Sequence, residues 1–252
     1  IHGDTSQIQM GTGSFGSRSA AVGGGAIHLS TQKIKEKAKK LAAHILEASE
    51  DDIVYEEGNL FVQGAPSEGK TIQEIALASY YYTEDIPEDM EPGLEAMSFF
   101  DPKNFTWPGG THIAVVEVDE STGEVTLLRY VAVDDVGNVI NPMIVDGMVH
   151  GGAAQGIGQA LQEEAIYDDE GQLLTGTMMD YAVPTAEMLP SFETDSTVTP
   201  TPVNILGARG AGEVGAVGAP PAVINAVADA RDFLHTVKGS KEPIPGGIRV
   251  VG

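Results

Sequence analysis

One carboxylate, Glu213, stands alone in a loop built otherwise of glycine, alanine, valine and a single arginine: G-A-R-G-A-G-E-V-G-A-V-G-A-P-P, residues 207–221. Glycines at 207, 210, 212, 215 and 218 let the backbone come close to a ligand and turn its N–H groups toward it. An acid among such small apolar neighbours is poorly solvated, and desolvation moves a carboxyl group toward the range in which it serves as a general base near neutral pH. Arg209 is the one nearby cation. The competing reading is a solvated loop acid with glycines that only make turns.

Gly210, Gly212 and Gly215 also match G-x-G-x-x-G, with an apolar run before and a helical pattern after, so a nicotinamide-dependent dehydrogenase is the rival enzyme class. Its context is poor, because residues 233–241 and the Pro/Gly-rich tail offer no second apolar run to pair beside the first. Gly11, Gly13 and Gly16 repeat the pattern without a convincing strand in front.

The stretch 207–230 resembles the C-terminal signature of the molybdenum hydroxylases, the family of xanthine dehydrogenase, aldehyde oxidoreductases and the aerobic carbon monoxide dehydrogenase large subunit. Two further stretches are similar to family segments in the same order. G-T-G-S-F-G-S-R-S-A-A-V-G-G-G-A at 11–26 is similar to the segment that wraps the pterin and its nucleotide, and D-G-M-V-H-G-G-A-A-Q-G-I-G-Q-A-L at 146–161 to the helix whose glutamine touches the cofactor. The resemblance implies that Glu213 is the catalytic base, which deprotonates the hydroxyl that attacks an electron-poor carbon. It implies cofactor contacts at Ser14, Gly16, Ser17, Ser19, Gln155, Arg209, Gly210 and Gly212, and molybdopterin cytosine dinucleotide as the cofactor that carries the molybdenum. Lysine is common in the family where Arg209 stands, a change that keeps the charge and alters donor geometry. The implied substrate is an aldehyde, an N-heterocycle or carbon monoxide. The implied partners are the N-terminal half of the large subunit, an iron–sulfur subunit and an FAD subunit, assembled as a cytoplasmic oligomer. By residue type alone, residues 5–26 read as a donor-rich surface loop, and Gln155 as part of a tightly packed helix.

The elements that must position these residues form an α+β pattern of mixed sheets and packed helices, expected as lobes 1–98 and 99–252. Ser30 or Thr31 can cap a helix with a stripe of Ile34, Ala38, Leu41, Ile45 and Leu46. Its five lysines, at 33, 35, 37, 39 and 40, read as a solvated face or a subunit dock. A hairpin is expected at 53–62, and a helix at 71–82 opened by T-I-Q-E. Residues 84–108 are acidic, contain proline and read as a linker or lid, with aromatics at 99, 100, 105 and 107. A second hairpin spans 111–134 about S-T-G-E. Its end pair, Asp134 and Asp135, points to opposite faces and reads as strand-end and turn acids. Residues 143–161 predict a helix in spite of five glycines, each costing roughly 1 kcal/mol relative to alanine, which calls for close packing or a ligand. A small hairpin is expected at 166–174, and the last helix at Pro220-Pro221, with Val223, Ala226, Val227 and Ala230 on one face.

The opening I-H-G-D reads as a scrap of strand, without Met or signal peptide, and points to one piece of a longer polypeptide; the resemblance implies that this piece is inactive without the preceding half. Cysteine is absent, so thiolate-bound clusters and disulfides are excluded in this chain and electrons would leave through another polypeptide. The six histidines form no recognisable metal-ligand spacing. Thirty-seven acids against fourteen bases give a net charge of −23, which repels nucleic acid and anionic membrane surfaces. Such an acid excess is what a high-salt cytoplasm favours. Self-repulsion of this size is screened by salt, so the melting temperature should climb as sodium chloride rises from about 10 mM to about 1 M. A flat response would remove that argument.

Overall fold

The computed structural model describes residues 3–239, with Gln9, Thr12, Thr83 and Asp85 excepted, and side chains as far as Arg231. The first two residues of I-H-G-D and the Pro/Gly-rich tail from Ser240 lie outside the described residues. The chain divides into two compact units, Val22–Asp101 and Ile1–Ala21 with Pro102–Gly252. The Gly/Ser segment up to Ala21 thus belongs with the C-terminal three fifths of the chain, a crossing that a single boundary at 98 does not contain.

In the smaller unit, helix α1 (Gly25–Ile45) follows a π-helical turn at Ala20–Gly24 and packs on β1 (Ile53–Glu56), β2 (Asn59–Val62) and α2 (Ile72–Tyr81), with the short strand β3 (Lys70–Thr71) beside β2. The hairpin turns at Glu57 and Gly58, both at positive φ (47° and 80°), the two-residue geometry that suits the strand twist. Thr71 and Glu74 form the expected capping box. Ala38, Leu41, Ala42, Ile53, Leu60 and Ile75 make the core, so the apolar stripe of α1 was legible and its start was not. Thr31 lies inside the helix and donates to the Ile27 carbonyl at 2.8 Å instead of capping it. The helix extends back through Gly25, whose missing Cβ makes room for the Phe100 ring. The lysine face is partly engaged: Lys33 donates to the Met97 carbonyl and Lys40 pairs with Asp89, which ties the segment about residues 89–97 to α1.

The larger unit is a three-stranded sheet, ordered β4 (Gly109–Val118), β5 (Val125–Asp135) and β6 (Phe192–Thr197), with α3 (Pro142–Leu161) and α4 (Val214–Gly239) packed together and α4 lying on β4. β4 and β5 form the expected hairpin, shifted by a bulge between Val115 and Val116. β6 was not anticipated; it pairs parallel to β5 and is clamped by Arg129, which donates to both carboxylate oxygens of Glu193 at 2.7 Å. Residues 166–174 turn back on themselves through an isolated Tyr167–Leu173 bridge and form no strands. Helix α3 is capped by Asn141, whose side chain accepts from the Ile144 N–H, with Pro142 in its first turn.

Helix α4 begins at Val214, six residues before the prolines expected to start it. Pro220 and Pro221 deprive the Ala216 and Val217 carbonyls of helical partners. The expected face is correct, with Val223 and Ala230 buried and Ala226 and Val227 against the same core.

Three of the five α3 glycines are explained by packing. A Cβ at 152 would lie 2.9 Å from the Ala216 nitrogen, one at 156 would lie 2.8 Å from Ala219 Cβ and Pro220 Cδ, and one at 158 would lie 2.7 Å from Pro184. Gly215 answers from α4, where a Cβ would sit 2.5 Å from both the Val149 carbonyl oxygen and the Ala153 nitrogen. Gly147 and Gly151 face open space. Urea unfolding should therefore show Gly215→Ala destabilising by about 1–3 kcal/mol or more, while Gly147→Ala gains roughly 0.5–1 kcal/mol. Equal effects at the two positions would contradict the close crossing of the helices.

Candidate functional site

Glu213 is the residue that hands the loop over to α4, with its carbonyl accepting the Val217 N–H at 2.9 Å. Its carboxylate therefore stands at the positive end of the helix. Ser17 Oγ donates to Glu213 Oε2 at 2.7 Å, across 196 positions of sequence. Both the loop glycine positions and the serine backbone serve this contact. A Cβ at 210 would fall 2.5 Å from Ser17 Cβ, and one at 212 would fall 3.3 Å from Ser17 Oγ. Ser17 itself holds φ 51°, beside Gly16 at 60°, a conformation a non-glycine residue adopts at a cost.

The desolvated setting expected for Glu213 is not found in this chain: the residue is exposed, because Gly210, Ala211 and Gly212 have almost no side chain with which to cover it. The dinucleotide reading also fails. Gly210 and Gly212 press on Ser17 and Gly215 on α3, and among the described residues no strand leads into the loop, only an isolated bridge between Gly137 and Ala208.

Two cavities flank the Ser17–Glu213 contact. The larger, about 660 Å³, is lined by Gly16, Trp107, His112, Asp134, Glu213 and Asn225 among others. The smaller, about 330 Å³, is lined by Ser14, Ser17, Ser19, Asn141, Arg209 and Gly212 together with apolar residues of α3 and the loops. Of the residues singled out in the sequence, Ser14, Ser17, Ser19, Arg209 and Gly212 thus come together in one cavity, and Gly16 and Glu213 in the other. Gly210 lies behind Ser17. Gln155 is exposed on α3 and lines neither cavity. Arg209 is engaged in the wall: Nε donates to the Thr199 carbonyl at 3.0 Å and Nη1 to the Trp107 carbonyl at 2.7 Å.

Sequence reasoning missed a buried cluster in the wall of the larger cavity. His112 Nδ1 lies 2.6 Å from the Tyr130 hydroxyl, and Nε2 lies 3.2 Å from each oxygen of Asp134. The His112 and Asp134 side chains are 4% and 5% exposed, so Asp134 is no turn acid. Burial, and then the Asp134 charge, push the Tyr130 hydroxyl well above its ordinary value. It keeps its proton and donates to Nδ1, which leaves Nε2 to carry hydrogen toward Asp134. The neighbouring Asp135 does behave as a turn acid. The Thr199 hydroxyl holds its carboxyl below the usual range, opposed by burial and helped by the Gly137 and Thr199 N–H groups and Arg209.

An α+β domain whose Gly/Ser segment and Gly-rich loop meet at one hydrogen bond has the character of a cofactor-binding domain. The chain belongs to the molybdopterin cofactor-binding domain family, whose model matches residues 1–190. It is 45% identical over 233 residues to the carbon monoxide dehydrogenase large chain of Hydrogenophaga pseudoflava, covering 92% of this chain and 28% of that protein. It is 39% identical over 228 residues to the nicotine 6-hydroxylase large subunit of Paenarthrobacter nicotinovorans, covering 90% of this chain and 28% of that protein. The solved Cu,Mo-CO dehydrogenase in its carbon monoxide reduced state superposes with a TM-score of 0.83 at 42% identity, covering 91% of this chain and 29% of that one. The chain therefore spans under a third of the length of these relatives. Among the described residues no helix is long and apolar enough to cross a membrane.

Because Asp135 is held below its unfolded value, its contribution is present above the unfolded carboxyl pKa of about 4 and is lost as pH falls through the lower folded one. Asp135→Asn should lower the melting temperature at pH 7 and have little effect at about pH 2. A penalty of the same size at both would assign its role to packing.

Proposed function

We propose that this chain is the C-terminal portion of the catalytic large subunit of a molybdenum hydroxylase, oxidising an aldehyde, an N-heterocycle or carbon monoxide with oxygen derived from water. The observation that carries the reading is the Ser17–Glu213 hydrogen bond, which joins the two segments expected to meet at the cofactor. The donor set of the smaller cavity fits the group. Serine hydroxyls, the Asn141 amide, the Arg209 guanidinium and the open Gly212 backbone line it, and no carboxylate is among the lining residues, a composition suited to phosphate and pterin edges.

In this reading Ser14, Ser17, Ser19, Arg209 and the loop glycines hold molybdopterin as its cytosine dinucleotide; Gln155, exposed on α3 outside both cavities, is the remaining expected contact. The bound cofactor supplies the two-electron redox chemistry. Glu213 accepts the proton released as a water-derived oxygen attacks the substrate carbon, and the Ser17 hydroxyl orients Oε2 so that Oε1 is the basic atom. The larger cavity brings the substrate to that oxygen. The N-terminal half of the large subunit completes the site and dries it, as does the assembly with an iron–sulfur and an FAD subunit, through which electrons leave this cysteine-free chain. A cytoplasmic location and an oligomeric assembly belong to the same proposal.

In the full-length subunit with its partners, Glu213→Gln should lower kcat roughly 10²–10⁴-fold while molybdenum content and acid-released CMP stay at the level of the unaltered enzyme. Retained turnover would remove Glu213 from the role of base, and release of another nucleotide would overturn the cytosine assignment.

A further inference from the structure

Asp134 is a buried carboxylate with too few donors. Among the described residues its one side-chain partner is His112, and both of its oxygens share the single Nε2–H at 3.2 Å, although a carboxylate taken out of water ordinarily collects several hydrogen bonds. That arrangement is built in, since space is made for it on both sides. A Cβ at Gly110 would lie 2.0 Å from Asp134 Oδ1, and one at Gly218 would lie 2.3 Å from His112 Nδ1. Tyr130 fills the other ring nitrogen, so His112 can neither turn nor supply a second hydrogen. Asp134, with lone pairs left over, is one of the residues that line the cavity that Glu213 also lines.

The other lining groups decide what could satisfy them. Asn225 is neutral, Trp107 offers an aromatic face and is 63% exposed, and among the described residues no lysine or arginine lines this cavity. An anion entering would meet two carboxylates, whereas a planar cation or an N–H donor would find an acceptor and a ring to lie on.

We infer that Asp134, locked by His112 and Tyr130, is a specificity-determining acceptor for the N–H or cationic nitrogen of a flat, ring-shaped ligand in the Glu213 cavity. The inference deepens the proposed function by choosing, among its substrate classes, nitrogen heterocycles that carry an N–H or a protonated ring nitrogen. It rests on that reading only in taking this cavity as the one that receives substrate.

Three near-isosteric probes separate charge from shape: benzamidinium, benzamide and benzoate. Binding is measured as competitive inhibition and as thermal shift on the full-length subunit with its partners, in the unaltered protein and in Asp134→Asn and Glu213→Gln. The unaltered protein should bind benzamidinium about tenfold or more tightly than benzamide, with benzoate weakest. Asp134→Asn should erase most of the benzamidinium advantage, and Glu213→Gln should keep it. An advantage that survives Asp134→Asn, or disappears with Glu213→Gln alone, would overturn the assignment. Benzoate binding as tightly as benzamidinium in the unaltered protein would overturn it without any variant, which keeps the test decisive if Asp134→Asn does not fold. Thermal shifts read binding without turnover, so a failure of Glu213 as base would leave this result standing, and the reverse also holds.

Discussion

The structure of the larger unit depends on two helices approaching with almost no side chain between them. Where α3 meets α4, Gly152 faces Gly215 and Ala216, and Gly156 faces Ala219 and Pro220. Backbone so near backbone gains dispersion contacts all along the crossing, and a single methyl group at 215 would have to displace a carbonyl oxygen and an amide nitrogen. The glycines weaken each helix taken alone, so the crossing is stable only as a pair. Its consequence for the site is positional: Gly215 is two residues beyond Glu213, and fixing it against α3 fixes the first turn of α4 and with it the carboxylate. The same economy of side chains continues outward through Gly212 and Gly210, which close on Ser17. The small residues that make the loop look like a nucleotide motif therefore serve three contacts of protein with protein.

That explains what the sequence could and could not disclose. The Gly-rich loop and the Gly/Ser segment stood out by composition, and the structure brings them into contact at Ser17 and Glu213. The start of α4 did not, because Pro220-Pro221 is a strong local signal for a first turn, while the packing of Gly215 and Ala219 on α3, a tertiary effect, extends the helix back past it. Ser30 and Thr31 misled in the same way. Strand β6 was hidden because F-E-T-D-S-T lacks an apolar face, and its place in the sheet comes from parallel pairing with β5 and from the Arg129–Glu193 clamp. The cluster at His112 was hidden by register. Counting back from the S-T-G-E turn without a bulge sets His112 opposite Val131, on the wrong face for Tyr130 and Asp134. The irregularity at Val115/Val116 shifts the pairing by one residue and sets it opposite Ala132, between those two.

The Ser17–Glu213 hydrogen bond also separates two electrostatic environments. On one side lie Ser14, Ser19, Asn141 and Arg209, donors with no acid among them. On the other lie Glu213, Asp134 with its His112 partner, and the neutral Asn225, with no lysine or arginine among the described lining residues. In a chain carrying −23 overall, a donor-lined cavity exists only where acids have been kept out of it locally, and here Asp135 is occupied by Gly137 and Thr199 and does not line that cavity. The first lining favours negative charge and the second disfavours it. Ser17 belongs to the first cavity and its hydroxyl reaches the acid of the second, so a single hydrogen bond closes the wall between two linings of opposite character.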